Sequence, residues 1–225
     1  MTTFALIPGA GGAGWYWHRV VALLQQAGHE ALAIDLPGDD ETAGLPEYAG
    51  RVVAAVGDRT DVVLVAQSLG GFTAAMVARQ LPVRAVVLVN AMIPLPGETP
   101  GDWWGNTGSA QARTDAANRA GYSSDFDLDV YFLHDVPPAV AAAGETYQRP
   151  EADAVFSSTC DFASWPDVAI RVVAGADDRF FPADFQRTVA ADRLRIAADV
   201  LPGGHLIALA RPVELADYLI ESAIQ

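Results

Sequence analysis

The chain has 225 residues, 51% of them hydrophobic, enough for one domain with a large buried core and too few for two ordinary ones. A net charge of −14 repels phosphate backbones and anionic lipid, which argues against nucleic acid and membrane surfaces as partners. All 14 basic residues are arginine; without lysine there is no Schiff base, no Ser–Lys dyad and no P-loop lysine.

Cys160 is the single cysteine, so an internal disulfide and a site of several thiolates are excluded, and the cytoplasm is the expected compartment. The N-terminal apolar run Phe4-Ala5-Leu6-Ile7 has no basic residue before it. No apolar stretch reaches the ~18 residues of a membrane span, so neither a signal peptide nor a span is expected.

In chain order, residues 4–8 read as a short buried strand leading into Gly9-Ala10-Gly11-Gly12-Ala13-Gly14, a loop flexible enough to approach a ligand closely. A helix over 15–27, a strand over 31–35 and a helix over 46–56 follow. Residues 61–66, Asp-Val-Val-Leu-Val-Ala, form the kind of continuously apolar strand that parallel sheets bury on both faces. Helix 69–80 and strand 84–89 come next, and after an interruption strand 169–174, helix 182–191, strand 196–201 and helix 212–223. Alternating strands and helices imply an α/β fold, a doubly wound and mostly parallel sheet covered on both sides. Between 92 and 165 the pattern breaks into a stretch rich in Pro, Gly, Trp and Asp, too long for a simple connection. It is expected to be a lid inserted into one domain spanning 1–225.

Ala66-Gln67-Ser68-Leu69-Gly70 stands between a buried strand and a helix, the context of a nucleophile elbow. The usual pattern is Gly-x-Ser-x-Gly; here Ala66 replaces the first glycine. Small residues two positions either side of Ser68 allow the tight turn. A serine after a strand also serves as a helix N-cap, so the case for a nucleophile depends on a base and an acid.

Of the four histidines, His205 in Pro202-Gly203-Gly204-His205 follows the last strand on a flexible loop at the same sheet edge as Ser68. His18 falls in the first helix and His29 in a turn, where packing is the ordinary role. His134, followed by Asp135, belongs to the expected lid; it is a candidate substrate contact, a surface His-Asp pair being the commoner role, and nothing in the sequence fixes its direction. Asp177 and Asp178 end the 169–174 strand, and either suits the carboxylate that orients an imidazole. The order Ser, Asp, His differs from that of the chymotrypsin and subtilisin types and matches α/β-hydrolases.

On these motifs the chain resembles the α/β-hydrolase superfamily from Phe4 to its C-terminus, especially the small esterase and hydroxynitrile-lyase-like branch. The resemblance implies the fold, an acyl-enzyme mechanism without metal or organic cofactor, and further residue roles. The family's strand-end Gly-x-x-Asp-x-x-x-Pro maps onto Gly175 to Pro182 and assigns the acid to Asp178. The family's His-Gly-x loop assigns oxyanion-hole N–H donors to Ala10 and, after the nucleophile, to Leu69; Pro8 stands where that loop has histidine. The branch also contains carbon–carbon hydrolases, cyanohydrin lyases and non-catalytic receptors. The lyases often use a lysine, which this chain does not have.

Gly9 to Gly14 is also a literal Gly-x-Gly-x-x-Gly, with Asp35 about 20 residues on as in a dinucleotide site. Trp15-Tyr16-Trp17 crowds the helix start where pyrophosphate would sit, and a Tyr-x-x-x-Lys dehydrogenase pair cannot exist here. The aromatics Trp15, Trp17, Trp103, Trp104, Phe126 and Phe180 are expected to line an apolar pocket under the lid, core packing being their other use. A small neutral ester or lactone with a hydrophobic acyl or aryl group is the expected substrate.

Overall fold

The computed structural model describes residues 1–224. Its sheet has six strands, β1 (Thr3–Ile7), β2 (Glu30–Ala33), β3 (Val62–Gln67), β4 (Ala85–Val89), β5 (Ala169–Gly175) and β6 (Asp199–Leu201), in the order β2-β1-β3-β4-β5-β6. Every neighbouring pair is parallel. The fold is the expected doubly wound α/β arrangement.

Successive side chains of a strand face opposite sides, and the central strands use this to build two cores. Ala5, Ile7, Leu64, Ala66, Val86 and Leu88 join one cluster, while Phe4, Leu6, Val63, Val65, Val87 and Val89 join the other. The first is covered by α2 (Leu45–Val56), α3 (Gly70–Ala78) and, after residues 92–165, α8 (Ala183–Leu194). The second is covered by α1 (His18–Gln26), α9 (Ile207–Ala210) and α10 (Pro212–Ile224). With both faces occupied, no polar alternation survives in β1, β3 or β4, which explains their unbroken apolar sequences. Among the described residues no helix is long and apolar enough to cross a membrane.

Two expected elements differ. Residues Gly14–Trp17 form a 3₁₀ turn and the helix proper starts at His18. With about three residues per turn, Gly14 and Trp17 fall on the buried side together, whereas Trp15 is left only partly covered. The last strand is shorter than 196–201, because only Asp199–Leu201 pairs with β5.

The 92–165 segment supplies α4 (Pro100–Thr107), α5 (Ser109–Ala120), a π-helical turn at Asp129–Leu133, α6 (Pro138–Gly144) and α7 (Asp153–Phe156). These lie between β4 and β5 in sequence, and all of them but α5 supply residues to the lining of a cavity at the carboxyl ends of the strands.

Candidate active site

Ser68 follows β3 with φ +51°, a left-handed conformation that costs a non-glycine residue energy and persists only where the surroundings enforce it. Here the enforcement is steric and hydrogen-bonded. The Ser68 carbonyl accepts from the amides of Gly71 at 3.1 Å and Met92 at 2.9 Å. A Cβ on Gly70 would stand 2.6 Å from the Pro8 carbonyl oxygen, so the chain after Ser68 turns where only glycine fits. Ala66, fully buried among core residues, occupies the place of the motif's first glycine.

The three polar groups that the sequence put at the ends of β3, β5 and β6 meet in space. His205 Nε2 lies 3.2 Å from Ser68 Oγ, and His205 Nδ1 lies 2.9 Å from Asp178 Oδ2. His205 is 1% and Asp178 4% exposed, so the pair is shielded from water and its interaction is little screened. Asp178 Oδ1 accepts from the amides of Phe180 and Phe181, each at 2.8 Å, and Oδ2 also accepts from Gln186 Nε2 at 3.1 Å. Four donors thus fix this carboxylate. Asp177 points elsewhere: its Oδ2 accepts from the Gly203 amide at 3.2 Å, bracing the loop that carries the histidine.

Asn90, at φ +46° after β4, ties the ensemble together. Its Nδ2 donates to the carbonyls of Gly204 and His205 at 3.0 and 3.1 Å, and its Oδ1 accepts from the Gly175 amide at 2.7 Å. Sequence reasoning overlooked Asn90, although one polar residue ending the apolar run Ala85 to Val89 was a visible signal. Gln67 Nε2 adds a 3.3 Å bond to the His205 carbonyl.

Ser68, Leu69, Ala10 and His205 border a cavity of about 490 Å³, within the usual range for small-molecule sites. Among the described residues neither the Ala10 nor the Leu69 amide donates a hydrogen bond within the protein, which leaves both open to a ligand. Of the aromatics singled out in the sequence, Trp15, Trp104 and Phe180 line this cavity, joined by Phe132, Leu133 and Tyr147, which the sequence did not single out. The rings of Phe132, Phe180 and Phe181 surround the His205 imidazole with centroids 4.9, 5.1 and 5.1 Å away. Beside it Tyr16, with its hydroxyl accepting from the Ala208 amide at 3.4 Å, has its phenol pKa pushed up by burial, so it remains a neutral hydroxyl.

Four expected pocket residues lie elsewhere. Trp17 is fully buried in the core beneath α1, because the 3₁₀ turn points it inward. Trp103 is likewise fully buried, its Nε1 donating to the Ile93 carbonyl at 3.1 Å and its ring against Phe181 and Phe185. Phe126 is 60% exposed and stacks on Tyr131 outside the cavity. His134 lies behind the His205 loop, its Cε1 against Gly204, where it borders a separate polar hollow with Asp135 and Asp177. His134 is not among the residues that border the cavity.

Asp35, whose spacing from the glycine loop mimics a dinucleotide site, is committed within the protein. Its Oδ1 accepts from the Gly14 amide at 2.9 Å and from Arg149 of the 92–165 segment at 3.1 Å.

Comparison with known proteins agrees with this architecture. The sequence model of the Alpha/beta hydrolase family matches residues 4–218. The probable esterase PIR7A of Oryza sativa is 36% identical over 110 residues, 44% of this chain and 42% of that protein, so the match spans less than half of either. Methyl jasmonate esterase 1 of Vitis vinifera is 24% identical over 250 residues, 97% of this chain and 95% of its own. Among solved structures, polyneuridine aldehyde esterase superposes with TM-score 0.78 at 17% identity over 98% of both chains. The pyrethroid hydrolase PytH superposes with TM-score 0.79 at 20% identity over 100% of this chain and 98% of its own. With the family matched along nearly its whole length and the fold shared, the chain belongs to the alpha/beta hydrolase family.

Proposed function

We propose that the protein is a serine hydrolase that cleaves a carboxylic ester or lactone of a small hydrophobic substrate through an acyl-enzyme on Ser68. The observation that carries this reading is the unbroken chain from Ser68 Oγ to His205 to Asp178, at 3.2 and 2.9 Å, opening on an apolar cavity. Esterase names among the relatives support it.

In this mechanism Ser68 Oγ attacks the substrate carbonyl carbon while its proton passes to His205 Nε2. Asp178 accepts from Nδ1, fixes the tautomer and stabilises the imidazolium. The tetrahedral oxyanion takes hydrogen bonds from the Ala10 and Leu69 amides, each such donor being worth roughly 10²- to 10³-fold in rate. Collapse expels the alcohol, which takes the proton from Nε2. Water, deprotonated by the same nitrogen, then attacks the acyl carbonyl and frees Ser68. The phenylalanines around His205 exclude bulk water from the charge pair.

Reaction with a fluorophosphonate probe, together with p-nitrophenol release from short and medium acyl esters, tests the reading. Both are expected in the wild type and neither in Ser68→Ala; a wild type that does neither would overturn it.

A further inference from the structure

We propose that Glu151 of the lid is a positioning residue for the oxyanion hole, holding the Gly9–Gly14 loop in the shape that presents the Ala10 N–H to the cavity. The inference rests on the hydrolase reading for its catalytic meaning.

Four of the six residues from Gly9 to Gly14 are glycine, and Gly11 and Gly12 have φ of +81° and +65°. Such a loop has little conformational preference of its own. Its polar groups are held from outside. The Gly11 amide donates to Glu151 Oε2. The Gly12 carbonyl accepts from an Arg149 guanidinium nitrogen at 2.8 Å, the same nitrogen that reaches Asp35 Oδ1 at 3.1 Å. Asp35 in turn accepts from the Gly14 amide at 2.9 Å.

Glu151 is anchored on its other side, for Tyr48 of α2 donates its hydroxyl to Oε1. The next residue, Ala152, donates its amide to the Gly38 carbonyl at 2.7 Å. The lid backbone rests directly on the loop, since a Cβ on Gly11 would come within 2.8 Å of the Arg149 carbonyl oxygen.

The tether acts next to the donor. The peptide bearing the Gly11 N–H joins Ala10 to Gly11, and the Gly12 amide closes back on the Gly9 carbonyl at 3.1 Å. With both ends held, the Gly9–Ala10 peptide between them has its N–H direction set. Glu151 does not border the cavity, so it works through the loop and not on substrate.

Glu151→Ala and Glu151→Gln separate this role from mere lid stability. A glutamine can accept the Gly11 N–H through its oxygen and donate to the Tyr48 hydroxyl. On p-nitrophenyl esters, Glu151→Ala is expected to lose roughly 10-fold or more in kcat with KM changed by no more than about twofold, as befits partial loss of one oxyanion donor. Affinity for a boronic acid, which forms a tetrahedral adduct on Ser68, should fall in parallel. Glu151→Gln should recover kcat to within about threefold of wild type on the same scale. Deuterium uptake of residues 9–14 should quicken in Glu151→Ala and not in Glu151→Gln. Unchanged kcat and unchanged uptake in Glu151→Ala overturn the proposal. So does a glutamine variant as impaired as alanine. A wild type that neither labels nor turns over overturns the hydrolase reading and, with it, the catalytic meaning of the tether; deuterium uptake then still decides whether Glu151 holds the loop.

Discussion

Asn90 holds His205 by its backbone: one side-chain nitrogen donates to the His205 carbonyl at 3.1 Å and to that of Gly204 at 3.0 Å. The imidazole is therefore oriented twice, at Nδ1 by Asp178 and at the main chain by the residue that follows β4, two strands away from β6. Asn90→Ala removes this brace and leaves the buried Gly175 amide and the two carbonyls without it. A loss of about 1–3 kcal/mol in stability is expected, read by thermal or urea unfolding, together with a fall in kcat. Unaltered stability would mean that the brace is redundant.

The two adjacent aspartates should separate cleanly. Asp178→Asn removes the carboxylate that sets the His205 tautomer, and by analogy with other triads about 10⁴-fold is lost in kcat. Asp177→Asn keeps an oxygen that can still accept from Gly203, and a change of less than about tenfold is expected by the same comparison. Steady-state kinetics on one ester substrate decides, and equal losses would defeat the assignment.

Phe132 borders the cavity and Phe126 does not. Phe132→Ala should raise KM for aryl and long-chain acyl esters more than for acetate esters, since the truncated ring no longer covers the larger acyl groups. Phe126→Ala should leave the acyl-length profile unchanged. A panel of p-nitrophenyl esters measures both.

Two glycines predict opposite signs. A methyl at Gly70 meets the Pro8 carbonyl oxygen at 2.6 Å, and Gly70→Ala should destabilise the elbow and abolish Ser68 labelling. Gly50 lies inside α2 with nothing within 4 Å of an added Cβ, so Gly50→Ala should stabilise the protein by about 0.5–1 kcal/mol. Melting temperatures of the two variants give the answer.

Cys160 is fully buried, and burial pushes its thiol up to about 12. The nucleophile toward alkylating reagents is the thiolate, so iodoacetamide at pH 8 should label the unfolded chain and spare the folded one. The folded state binds the thiol proton more tightly than the unfolded state. The resulting stability is intact below the unfolded-state value near 8.5 and erodes as pH rises above it. Rapid alkylation of native protein would show that the core around Cys160 opens.

Local pattern alone determined the doubly wound sheet and the order of its elements, because hydrophobic period and strand-end turns depend on near neighbours in sequence. The same patterns put Ser68, Asp178 and His205 at the carboxyl ends of β3, β5 and β6, where a parallel sheet gathers such residues. Tertiary structure decided what pattern could not. Asp177 and Asp178 differ by one position: local pattern left either open, family resemblance pointed to Asp178, and the fold of the loop after β5 is what turns one toward His205 and the other toward Gly203. Trp15 and Trp17 have similar sequence surroundings, yet a 3₁₀ turn sends one to the cavity and the other to the core. In the 92–165 segment, Phe132, Phe126 and His134 lack any periodic signal, so their directions follow from packing across distant elements. The bond from Glu151 to the Gly11 amide, 140 residues apart, is of the same kind: its partners are joined only once the chain has folded.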